Sequence, residues 1–168
     1  DDLLLADKLL IQKDFLESRP DIAAVGSYQT LVDEKGRPVD DPHVKAWFEL
    51  APQSRGDFLR HLLERNFVTA PSVLIRIEIL RELGGFDETC RAMQDYDLWL
   101  RLLKEHDMAV IPKPLIAYRW HGANQTYRAT NETEEERSRV LMRAAERLEP
   151  GDLFPELLKD ERPETLMA

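Results

Sequence analysis

Four short stretches of the chain carry side chains that could do chemistry. Asp1 and Asp2 are paired carboxylates ahead of a run of leucines. Hard oxygen donors of that kind hold Mg2+ or Mn2+. The same pair also serves to cap a helix and to place negative charge at the positive end of its dipole. Asp95, in MQDYDLWLRL, stands one turn before Leu98 and Trp99, so it opens a helix on the side that turns inward. It reads either as a helix cap or as a general base at the mouth of a cleft, aimed by the helix behind it. Arg119-Trp120-His121 joins a guanidinium able to grip phosphate to an imidazole able to bind a metal or meet a phosphate. A surface histidine beside an aromatic is the other reading. In GGFDE, Gly84 and Gly85 stop a helix and Phe86 turns into the core, while the two glycines would also let a substrate approach the backbone. His43, His61 and His106 show no ligand spacing.

The elements that must position these groups follow from periodicity. Residues 3–18 read as a helix with Leu4, Ile11 and Phe15 in one stripe and Leu5, Leu9 and Leu16 beside it, ended by Pro20. IAAVGSYQTLVD is apolar enough at its start to be a central strand covered on both faces. Gly36 makes a turn and a short return. Residues 40–55 give no clear pattern. A short helix over 56–66 turns Phe58, Leu59, Leu62 and Leu63 inward. A strand over 67–77 is interrupted by Pro71, and a short helix over 78–86 stops at the glycine pair. Leu98, Trp99, Leu102 and Leu103 form the apolar face of a helix over 95–106. Residues 108–121 read as two short strands around a Pro-Lys-Pro turn. A polar helix over 131–148 has a narrow stripe of Val140, Leu141, Ala144 and Leu148, and the tail beyond Pro150 packs loosely. Alternating strands and helices predict an α/β sandwich around one sheet.

Composition narrows the function classes. The 168 residues suffice for one domain with a core, and 43% hydrophobic with 33% charged residues fits a globular chain. A net charge of −9 argues against a general nucleic-acid or membrane-surface binder but leaves room for an acidic cleft holding a cation. Cys90 is the only cysteine, so no internal disulfide forms and a reducing, cytoplasmic location is expected. No apolar run approaches the ~18 residues of a membrane span. The chain opens with two aspartates and no initiator Met, so no signal peptide is read at its start.

Taken in order, DDLLLADKL, AAVGSYQTLVDEKGRPV, NFVTAPSVLIRIEILRELGGFDE, MQDYDLWLRLL and PLIAYRWHGANQT resemble the second half of a family-2 glycosyltransferase of the GT-A fold. The likeness covers residues 1–128, leaving 129–168 as a helical extension. It implies the C-terminal portion of an α/β/α sandwich with a mixed sheet. It also implies an inverting transfer of sugar from a nucleotide-diphosphate sugar to a saccharide or lipid-linked acceptor, as in cell-surface polysaccharide synthesis. By that likeness Asp1 matches the last aspartate of the family's Asp-X-Asp metal motif and Asp2 the acid that follows it. His121 joins them on a Mn2+ or Mg2+ ion, and Asp1, Arg119 and His121 lie on the donor diphosphate. Asp95 matches the catalytic base. Gln94 departs from the family's usual glutamate and falls to the acceptor side, with Ser72, Gly84 and Gly85. The chain lacks a Gln-X-X-Arg-Trp segment, which argues against a processive synthase.

The resemblance places the start of the chain inside the metal motif. The expectation is therefore a fragment without its nucleotide-binding half, inactive alone, with a sheet edge open to pairing with a second copy. A seat at the inner face of the membrane is compatible with the acceptor class. Two other classes stay open: a non-catalytic saccharide- or protein-binding module on a degenerate transferase scaffold, and a structural or regulatory domain in which the acids are only caps.

Overall fold

The computed structural model describes residues 2–120 and 130–158, with the side chains of the last two, Leu157 and Leu158, left aside. The chain is α/β with one mixed four-stranded sheet in the order β1-β4-β2-β3. Strand β2, Ile22–Val32, lies parallel to β4, Asp107–Arg119. Two short antiparallel edges flank that pair: β1, Leu3–Leu4, on β4 and β3, Leu74–Ile75, on β2. β2 is thus central and buried on both faces, as its apolar start predicts.

Successive residues of β2 and β4 point to opposite faces. On one face Ile22, Val25, Ala109 and Ile111 meet Phe15 and Leu16 of α1, Lys8–Ser18. On the other, Ala24, Met108 and Val110 meet α3, Arg55–Glu64, and α5, Gln94–Glu105, through Phe58, Leu59, Leu62, Leu98, Trp99, Leu102 and Leu103. Toward the carboxyl end of β2, α2, Pro42–Phe48, sets Val44 against Leu31, Ile116 and Tyr118. α2 occupies part of the stretch that has no clear sequence pattern. It is started by Asp41, whose carboxylate accepts from His43 N–H and Val44 N–H.

The helix expected over 3–18 begins only at Lys8. Leu3 and Leu4 are drawn out of it by pairing with Ala117 and Ile116, and Asp7, at φ 63°, makes the corner. The buried stripe of α1 is Lys8, Gln12 and Leu16, while Leu9 is 57% exposed. Residues 108–121 hold one strand rather than two. Pro112 brings no N–H to the ladder, so the pairing jumps from Ser27–Ile111 to Tyr28–Pro114 to Gln29–Ile116 and the Pro-Lys-Pro stretch is a bulge. The strand expected over 67–77 contracts to two residues, because Ala70–Ser72 winds into a 3-10 turn at Pro71. α4, Ile77–Glu82, ends on Gly84 and Gly85, both at positive φ (77° and 74°), as read from the sequence. Phe86 does not enter the core; it is 48% exposed.

α6, Asn131–Arg147, lies on α5 and buries Val140 and Ala144. The short α7, Pro150–Leu153, does not pack loosely. It sits on α3, where Arg60 donates to the Leu153 carbonyl and stacks over Phe154, 5.3 Å from its ring centre. Gly56 gives it room: a Cβ there would lie 2.8 Å from Pro155 Cδ and 2.9 Å from the Leu153 carbonyl. Among the described residues, no helix is long and apolar enough to cross a membrane.

Candidate functional site

Asp95 stands in the first turn of α5. The residue before this helix, Met93, has no capping side chain, so the first turn depends on what packs around it. The segment between α3 and β3 does this. Trp99 Nε1 donates to the Val68 carbonyl at 3.2 Å, and the Tyr96 hydroxyl donates to the Leu62 carbonyl. These anchors lay residues 66–70 across the start of α5. Asn66 Nδ2 then donates to Asp95 Oδ1 at 3.2 Å, and Tyr96 N–H donates to the same oxygen at 2.7 Å. Burial pushes the Asp95 carboxyl above the usual aspartate range, while bonds from the Tyr96 N–H, the Asn66 amide and the Ala70 N–H pull the other way. A half-buried carboxylate with a raised proton affinity, reachable beside exposed Ala70, has the properties of a general base.

The 66–72 segment is itself fixed to the sheet. Thr69 Oγ1 donates to Gln29 Oε1 at 2.8 Å, and Ser72 Oγ donates to the Thr69 carbonyl at 2.7 Å. Just before β3 begins, Gln12 Nε2 bridges the carbonyls of Val25 and Ser72 at 2.9 and 2.7 Å, and Lys8 Nζ donates to Gln12 Oε1 at 2.6 Å. Ser72, expected on the acceptor side, is therefore buried in the scaffold, bonded to Thr69 and Gln12. Sequence reasoning passed over Asn66, Thr69, Gln12 and Gln29. The available signal was the polar run of Ser27, Gln29 and Thr30 within a strand that begins and ends apolar. Ser27 Oγ, Gln29 Nε2 and Gln94 Oε1 are buried polar atoms without a hydrogen-bond partner, and Gln29 and Gln94 adjoin the Asp95 surroundings through Thr69 and the first turn of α5.

The second expected group assembles at the carboxyl end of β4. Arg119 N–H donates to Asp2 Oδ1 at 2.7 Å, so Asp2 and Arg119 are neighbours. The Arg119 guanidinium donates to the carbonyls of Asp33 and Glu34, which ties the Gly36 turn to the strand end. Asp1 and His121 lie outside the described residues. Among the described residues no three His, Cys, Asp or Glu side chains gather as a metal site. What Asp2 contributes is a carboxylate held in place by a backbone N–H, a donor type that suits Mg2+ or Mn2+. Across the sheet Leu4, Ile116 and Gln29 stand in one row. At about 4.8 Å per strand step, Gln29 lies roughly 10 Å from β1, on the side toward Thr69 and Asp95. Gly84 and Gly85 have open space where a Cβ would stand. Arg101 holds their loop by donating to the carbonyls of Leu83 and Gly85 at 2.6 and 2.8 Å while its Nε meets Asp97 at 2.7 Å.

No family model matches the chain. Curated relatives do. The chain is 29% identical over 137 residues to an uncharacterized glycosyltransferase of Rickettsia felis, covering 80% of this chain and 22% of that protein. It is 25% identical over 120 residues to one of Methanocaldococcus jannaschii, covering 71% of this chain and 39% of that protein. A third, from Haemophilus influenzae, is 26% identical over 133 residues, covering 77% of this chain and 40% of that protein. The chain thus spans between about a fifth and two-fifths of the length of these relatives. The likeness supports a glycosyltransferase relationship.

Proposed function

We propose that this chain is the acceptor-side and catalytic portion of an inverting, metal-dependent glycosyltransferase of family 2 and the GT-A fold. The observation that carries the reading is Asp95: a desolvated carboxylate in the first turn of α5, oriented by Asn66 and the Tyr96 N–H at the surface. In the reaction, an acceptor hydroxyl gives its proton to Asp95 as its oxygen attacks the anomeric carbon of the sugar. The bond from that carbon to the diphosphate oxygen breaks on the opposite side, so the centre inverts. Gln94, next to Asp95 in the first turn of α5 and with an Oε1 that has no protein partner, is the residue proposed to take a hydrogen bond from an acceptor hydroxyl. A divalent cation, held by Asp1, Asp2 and His121, would offset the charge that develops on the departing nucleoside diphosphate.

The donor is a nucleotide-diphosphate sugar and the acceptor a saccharide or a lipid-linked saccharide. Pairing of two copies through the β1 edge, where Leu3 and Leu4 are exposed, belongs to the same proposal.

The test is calorimetric titration of UDP and GDP, each with Mn2+, into this chain and into a protein of the relatives' full length. Binding by the longer protein only supports a site shared with the rest of the sequence. Binding by neither favours the saccharide- or protein-binding module. In the longer protein Asp95→Asn should lower transfer by about 10²–10⁴-fold, the usual loss when a positioned acid–base group is removed. Unchanged turnover would overturn the assignment.

A further inference from the structure

α6 has a polar sequence, yet one of its acids is buried. Glu136 is 6% exposed, and its Oε1 accepts from Ala92 N–H at 2.9 Å and Met93 N–H at 2.7 Å. These two donors stand at the entry to α5, where Met93 offers no side-chain cap and its carbonyl accepts the first helical bond, from Asp97 N–H at 2.9 Å. A second tie joins the same loop to α6: Arg143 Nη1 donates to Asp87 Oδ2 at 2.6 Å, close to the surface. α6 is rigid enough to bear this, because Thr130 and Thr133 close a reciprocal cap at its start and Val140 and Ala144 are buried.

We propose that Glu136 is a positioning residue for Asp95: a carboxylate supplied by a separate helix that replaces the missing cap of α5 and so fixes the turn carrying the base. Helix entry donors left without a partner are expensive, and an anion is favoured at the positive end of the helix dipole. Both needs are met here by a residue more than 40 positions away in the chain (Ala92 and Glu136 are 44 apart). The charged neighbours of Glu136 are few. Arg139 on its own helix favours its ionised form, and Asp87 and Arg143 neutralise one another nearby. Holding Glu136 below the usual glutamate range are the backbone donors of Ala92, Met93 and Arg91, against the opposing effect of its own burial. α6, which lies beyond the family resemblance, therefore belongs to the site: Met93, held by Glu136, stands two residues before Asp95. That last statement rests on the reading of Asp95 as the base; the positioning itself does not.

The test uses this chain with carbon-13 in its aspartate carboxyls. Asp95 is assigned by its loss in Asp95→Asn, and its titration is followed in the parent, Glu136→Met, Glu136→Gln and Arg143→Gln. Loss of the acceptor in Glu136→Met should let the first turn of α5 open to water. The Asp95 midpoint then falls toward the ordinary aspartate range, and amide exchange at Asp95, Tyr96 and Asp97 speeds up by tenfold or more. Glu136→Gln keeps an acceptor oxygen and should restore most of both readouts. Arg143→Gln, which breaks only the surface tie, should leave them unchanged. An Asp95 midpoint identical to the parent's in folded Glu136→Met would overturn the proposal. Should Glu136→Met not fold, Glu136→Ser, too short to reach the Ala92 and Met93 N–H groups, carries the test: faster exchange at Ala92 and Met93 with a lowered Asp95 midpoint supports it, and parental values for both overturn it. Turnover by Asp95→Asn in the longer protein would sink the base assignment instead, leaving the titration result standing.

Discussion

Asn66 and Asp95 sit 29 positions apart in sequence and share a hydrogen bond of 3.2 Å from Nδ2 to Oδ1. The amide ties the carboxylate to a segment anchored by Trp99 on the Val68 carbonyl. Asn66→Ala removes a donor that favours the ionised acid, so the Asp95 midpoint should move further up, measured by carboxyl NMR titration. No movement would mean that the bond contributes nothing to the charge of the site.

Burial raises Asp95 above the ordinary aspartate range, so this group binds its proton more tightly in the folded chain than in the unfolded one. Its stabilising effect is full below the unfolded value and is lost as pH rises through the folded value. At neutral pH the ionised, desolvated acid therefore costs stability. Asp95→Asn should melt higher than the parent at pH 7, and the gap should close as the pH falls below the ordinary aspartate range. A lower melting temperature at pH 7 would contradict this.

Gln12, fully buried, and Lys8, 3% exposed, make a paired test. Gln12→Leu leaves the carbonyls of Val25 and Ser72 without their donor and Lys8 without its acceptor, and should cost about 2–4 kcal/mol in urea unfolding. Lys8→Met removes an ammonium whose charge burial disfavours and keeps its packing stem, but it leaves the buried Gln12 Oε1 without its donor. A lysine lowered on folding gives up stability as pH falls through its folded value, so Lys8→Met should compare better with the parent at pH 7 than in strong base. That advantage should vanish above pH 10.5, the unfolded value.

Arg101 and Asp97 form a shielded pair at 2.7 Å, with 16% and 4% side-chain exposure. Arg101→Met strands the Asp97 carboxylate and frees the carbonyls of Leu83 and Gly85. The expected loss is about 3–5 kcal/mol, read from denaturant melts. Asp97→Asn with Arg101→Met together should recover part of it, since no buried charge is then left alone.

Gly56→Ala drives a methyl group into Pro155 and the Leu153 carbonyl. α7 should detach, at a cost of about 1–3 kcal/mol, and limited proteolysis should cut near residue 150 in the variant before the parent.

Much of the architecture was legible in the residues. The central strand, the glycine stop of α4 and the inward face of α5 follow from local pattern and were found where periodicity put them. So was the acid in the first turn of α5. What was hidden came from pairing at a distance. Leu3 and Leu4 look helical until β4 supplies a ladder for them, and the Pro-Lys-Pro stretch looks like a turn until β2 holds both of its sides. Lys8, Gln12 and Glu136 look solvated because polarity marks a surface on average. Gln12 and Glu136 are buried because each satisfies backbone groups left open beside a strand or at a helix entry, and Lys8 because it donates to Gln12. Asn66 and Thr69 carried no pattern at all, since a segment that winds from one element to another has no period to read.

The pairing of β2 with β4 has a kinetic consequence. Thr30 meets Ile116 across 86 positions, and nearly every residue that shapes the Asp95 surroundings is strung along the chain between those two strands. The entropy of closing so long a loop is lost before the parallel ladder returns any contact, which places the chain among slower folders. α3, the 66–72 segment and α5 can associate locally before closure, with Tyr96 and Trp99 as their early anchors. Asp95 would then be seated in a half-formed domain, and closure of the ladder would join it, in one late event, to the sheet whose β4 end holds Asp2.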